Sequence, residues 1–153
     1  MEKPWIAKNK EWREKLQKFV SKVTDKELNL VIYKEGWTIA VMLGHLAFWD
    51  ERRIELLKLW QRNDFTASGI EGTNMHIINN ALVPLFLSAS PRKLAELAVD
   101  TAQRVDKIIE ELTDDVVKKI KALKEPTALD RGHHRQMHLD EIEAFLKTTR
   151  NAK

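Results

Sequence analysis

Apolar residues recur at helical spacing along most of the chain. Trp5, Trp12, Leu16, Phe19, Val20 and Val23 mark one face of a helix running from about Trp5 to Val23. "TDKE", Thr24 to Glu27, has the form of a capping box and predicts a short helical turn that ends before Gly36. Thr38 then reads as the N-cap of a second long helix reaching about Gln61, with Trp37 and Met42 placed to form a hydrophobic staple. Its first half, "IAVMLGHLAFW", is apolar nearly all round and predicts deep burial, whereas "DERRIELLKLWQR" is amphipathic. Residues 63–73 read as a loop. A helical stretch from Asn74 to about Leu87 contains Pro84, which predicts a kink or break. Ser90 and Pro91 are the favoured N-cap and N1 pair for the next helix, whose face is Leu94, Leu97, Ala98, Thr101, Val105, Ile108, Ile109 and Leu112. Residues 113–130 read as a connector with one helical turn, overlapping a last helix from about Thr127 to Thr149. Four long amphipathic helices joined by short to moderate connections predict a single all-α domain over residues 1–153, a four-helix bundle. Leu16 and Phe19, Leu43 and Leu46, Leu97 and Val105, and Ile142 and Leu146 are its expected core.

Composition narrows the functional classes. The chain has no cysteine, which excludes disulfides and thiolate metal ligands. The net charge is +3 and the pI near 9.1, but Lys/Arg and Asp/Glu are interspersed, so no basic stripe for nucleic acid is expected. No apolar run is long enough to span a bilayer, and "MEKPWIAKNK" is too polar for a signal peptide. A soluble cytoplasmic protein is the expectation.

The candidate chemistry lies in "RGHHRQMHLDEIEAF", residues 131–145. Four residues apart, His134 and His138 share one side of the last helix with Ile142 and Phe145, while His133 falls roughly 100° away. An inward-facing pair at this spacing presents two imidazoles to one metal ion. The zinc-protease reading fails, because Arg135 stands where that motif has its glutamate. His45, inside the most apolar segment of the protein, is either a hydrogen-bonded core histidine or a third ligand donated across the bundle. Three neutral imidazoles suit zinc, nickel or iron(II).

"GWTIAVMLGHLAFWDERRI", "GHHRQMHLDEIEAF" and the intervening "INNALVPLFLSASPRKLAEL" together resemble the DinB-like superfamily, over roughly residues 37–146. That superfamily includes the N-terminal domain of mycothiol-dependent maleylpyruvate isomerase and related bacterial thiol transferases. The resemblance implies an up-down-down-up bundle, often dimeric, with a divalent metal held by His45, His134 and His138. It implies a small-molecule substrate such as a low-molecular-weight thiol. One departure is His76, which stands before Asn79 and Asn80 where relatives often carry an acidic residue. His76, Asn80 and Trp49 are the candidates to line the pocket, and no residue stands out as a nucleophile or general base. The functional expectation is therefore a divalent-metal-dependent transferase or hydrolase, the alternative a non-catalytic stress-related or ligand-binding bundle.

Overall fold

The computed structural model describes residues 1–152. The elements in order are α1 (Pro4–Lys22), α2 (Asp25–Leu28), β1 (Val31–Tyr33), β2 (Trp37–Thr38), α3 (Ile39–Gln61), α4 (Gly72–Leu87), α5 (Pro91–Glu110), α6 (Asp114–Ala122) and α7 (Gly132–Asn151). Helix accounts for 73% of the chain, so the all-α expectation holds for the class. No helix among the described residues is long and apolar enough to cross a membrane.

Local chemistry sets most helix starts. Thr24 Oγ1 accepts the Glu27 amide at 3.1 Å, and the Glu27 carboxylate accepts the Thr24 amide at 3.2 Å, completing the capping box. Thr38 Oγ1 accepts the Val41 amide at 3.1 Å and starts α3. Ser90 and Thr113 cap α5 and α6 in the same way. Three features differ from the sequence expectation. Before Thr38 the chain forms an antiparallel hairpin, β1 with β2, turned through Glu35 and Gly36, both at positive φ. Pro84 does not break α4, which continues to Leu87. Proline removes one donor, and Asn80, whose carbonyl that donor would serve, is exposed to water. The connector holds a full nine-residue helix, α6, and α7 begins at Gly132 rather than near Thr127.

The start of α7 is set by close approach to α1. A Cβ at Gly132 would lie 2.8 Å from the Lys8 carbonyl oxygen, so only glycine fits. The Gly132 amide donates to Asn9 Oδ1 at 2.8 Å and the His133 amide to Asp130 Oδ1 at 3.0 Å, which satisfies two donors of the first turn.

The apolar interior is divided. One cluster joins Leu16 and Phe19 of α1, Leu43 and Leu46 of α3, Ala95 and Ala98 of α5, and Ile142 and Leu146 of α7. The other joins Trp5, Leu57, Trp60, Val105, Ile109, Val117 and Ile120. Polar residues lie between the clusters: Asn9 and Arg13 on α1, Asp50 and Arg53 on α3, with Arg131 and Arg135 at the start of α7. Of the expected core, Leu97 is 40% exposed and lies outside both clusters. On its turn Leu94 and Ala98 already fill the inward face of α5.

Candidate metal centre

α3 and α7 bring three imidazoles together. His45 is fixed by the rigid, almost fully buried first half of α3. His134 and His138 stand one turn apart on the first half of α7. His45 Nε2 lies 3.0 Å from His134 Nε2, and His138 Nε2 lies 3.1 Å from the same atom. One nitrogen from each ring thus falls within 4.8 Å of the other two. Trp37 and Trp49 pack edge-on to His45, at ring separations of 5.7 and 6.4 Å. The Trp49 indole N–H donates to Asn79 Oδ1 at 2.8 Å, which ties this wall to α4.

Electrostatics keep the three rings neutral. Burial pushes the His45 pKa down to about 3, and a charge on His138 would oppose its protonation further. Burial lowers His138 to about 4. His134 is held well below the ordinary value, first by burial and then by the Arg131 guanidinium. Neutral imidazole is the ligating form. Three such bases cannot satisfy one another. Each N–H···N contact needs one Nε2–H and one bare Nε2, and any ring protonated on Nδ1 turns a lone pair into the cluster. Among the described residues Nδ1 of His45 and of His138 has no hydrogen-bond partner, although Glu141 Oε1 is 3.7 Å from the latter. The donor set is therefore a three-nitrogen cluster that fits a borderline divalent cation such as zinc, nickel or iron(II).

The histidines face a cavity of about 870 Å³. Trp49 and His76 line it, but His76 is not part of the converging group. Asn80 is exposed and outside the lining; Asn79, one residue earlier, takes that place. His133 is exposed at the rim. The cavity also contains Arg52, Arg53, Arg131 and Glu141, none of which stood out in the sequence. A signal for Arg131 existed: Asp50 interrupts the apolar face of α3, and a buried carboxylate requires a cation.

Arg135, next to His134, turns the other way into the polar layer. It donates to Asp106 at 2.8 and 2.9 Å and to Asp50 at 3.3 Å. Asp106 also accepts from Arg13 at 2.6 Å, and Asp50 from Arg131 Nε at 2.9 Å. Burial opposes the charge on Arg135, but Asp50 and Asp106 outweigh it and raise its pKa. This network fixes the rotation of α7 and with it the direction of His134 and His138.

No curated protein and no solved structure matches the chain. The profile of the DinB superfamily matches residues 9–142, from α1 through all three converging histidines and about halfway along α7. On that match the chain belongs to the DinB superfamily.

Proposed function

We propose that His45, His134 and His138 hold one divalent metal ion and that the protein is a metal-dependent enzyme of transferase or hydrolase type acting on a small molecule, a low-molecular-weight thiol among the candidates. We further read α1, α3, α5 and α7 as an up-down-down-up four-helix bundle. The observation that carries the functional reading is the meeting of three neutral Nε2 donors on the wall of a cavity of about 870 Å³. A bound divalent ion supplies Lewis acidity there, polarising an oxygen donor or stabilising a thiolate.

The chain's own residues supply the rest. Trp37 and Trp49 give the cavity flat apolar walls and limit water beside His45. Glu141, whose carboxyl is raised in pKa by burial, is the cavity's candidate proton carrier. Arg131 keeps positive charge beside the rings and so favours their neutral, ligating form.

The test is elemental analysis of protein prepared without a chelating tag and equilibrated with zinc. One ion per chain is expected for the natural sequence and for His133→Ala. None is expected for His134→Ala. Equal zinc in both variants would refute the assignment.

A further inference from the structure

The cavity beside the histidines carries cationic groups that the fold does not fully engage. Arg131 is only 4% exposed. Its Nε donates to Asp50 and its Nη1 to the Thr127 carbonyl, and among the described residues its Nη2 has no protein partner. Arg52 donates to the Ser68 carbonyl at 2.8 Å, pairs with no carboxylate among the described residues, and lies 5.8 Å from the centre of the Trp49 ring. Arg53, the third guanidinium, is already engaged by Glu125 at 3.1 Å.

Charge balance points the same way. The cavity is lined by Arg52, Arg53, Arg131 and Lys124, against Glu125 and Glu141. Asp50, bonded to Arg131, is shared with Arg135. The protein's own groups leave a small positive excess, which suits a monoanion. A guanidinium nitrogen left without a protein partner presents charged N–H donors that a carboxylate can accept. The aromatic walls next to these donors suit an apolar body.

We propose that the cavity takes a small organic acid, its carboxylate seated on Arg131 Nη2 and Arg52, its apolar body against Trp37 and Trp49. This names the substrate class of the proposed enzyme and rests on that reading for the reactive end of the molecule. The carboxylate seat itself is built from protein alone.

The experiment compares phenylacetate with phenylacetamide, which share a body and differ in the anion. Binding is measured by titration calorimetry at low ionic strength, on metal-free and on zinc-loaded protein. The metal-free arm removes direct ligation of the carboxylate by zinc. There the acid should bind roughly tenfold tighter than the amide. Arg52→Gln should remove most of that preference while the circular dichroism melt stays cooperative, because among the described residues Arg52 makes one hydrogen bond, to a loop carbonyl. Arg131→Lys, which keeps the charge and loses the Nη2 donor, should reduce it several-fold. Equal binding of acid and amide to the metal-free natural sequence overturns the proposal, whatever zinc does. A preference unchanged in both variants also overturns it. Acid preference without stoichiometric zinc would sustain the seat and remove the metal-centre reading alone.

Discussion

His134 and Arg135 are consecutive on α7, yet their side chains enter two different kinds of interior. Arg135 reaches a layer where cations meet carboxylates: Asp50 and Asp106 accept from Arg13, Arg131 and Arg135. His134 meets two further imidazoles at 3.0 and 3.1 Å. Both groups are buried, and burial without compensation is costly for either. The first cluster is compensated internally and can serve as scaffold. The second is a group of neutral imidazoles that cannot all satisfy one another, and under the proposed function a cation from outside the chain would complete it. Arg131 touches both, bonded to Asp50 on one side and facing the histidines on the other.

The largest effect is expected on the scaffold side. Asp106→Ala removes the partner of two guanidinia and leaves them buried. Breaking such a pair costs about 3–5 kcal/mol, which urea denaturation at pH 7 would read as a lower midpoint. A loss below about 1 kcal/mol would show that water or Asp50 replaces the missing carboxylate.

On the histidine side the effect depends on the ion. The metal-free protein should remain folded, because both apolar clusters are complete without it. Zinc at a thousandfold excess over its dissociation constant should add roughly 4 kcal/mol. Thermal melts with and without chelator should therefore differ in midpoint and both stay cooperative. Loss of helicity on chelation at 25 °C would make the metal structural and place the two clusters in one class.

Acid separates the clusters further. In the unfolded chain a histidine binds its proton near pH 6.5. In the folded chain His45 and His138 do so only at about 3 and about 4. Between these values the unfolded state holds more protons, so metal-free stability is full above pH 6.5 and falls as the pH drops. At pH 5 the loss is about 2 kcal/mol for each of these two residues. Urea midpoints from pH 7.5 to 5 would show it, and His45→Ala should flatten the slope. The same shifts protect the ligands. Zinc occupancy, measured by equilibrium dialysis, should persist well below pH 6.5 and fail as pH approaches 4. Loss of zinc centred at pH 6.5 would indicate rings that titrate as in water.

The smallest effect is a control on the surface. Arg104 pairs with Glu51 and Asp100, where both partners are exposed. Arg104→Gln should cost less than about 1 kcal/mol in the same urea assay. A cost comparable to that of Asp106→Ala would mean that burial is not what distinguishes the interior network.

The parts of this arrangement that depend on neighbours in sequence were readable from the chain. Thr24, Thr38 and Ser90 announce helix starts because a cap is a bond across three residues. His134 and His138 separate from His133 by helical angle alone, and the structure groups these two with His45. What depends on distant partners was not readable. The hairpin strands are too short to show alternation, and α6 was obscured by its lysines, although Thr113, Asp114 and Asp115 form a good helix start. Gly132 rather than Thr127 begins α7 because of the Lys8 backbone more than a hundred residues earlier. Arg135 and Arg131 read as ordinary helix charges until Asp50 and Asp106 are placed beside them. Asn79 displaces Asn80 as the pocket residue through its bond to Trp49, a contact between helices that spacing within one helix does not reveal.

That bond gives the molecule an optical reporter. Trp49 has its indole N–H held by α4, its ring beside His45 and its face on the cavity. An ion at the histidines, a solute in the cavity or a shift of α4 each alters the surroundings of Trp49, which is one of five tryptophans and is read apart from the rest by its loss in Trp49→Phe. The chain also has no cysteine, so a single one introduced on the exposed face of α4 can carry an acceptor dye with no competing thiol. Occupancy of the centre and movement of the helix over it then become two readouts of the same fluorescence decay.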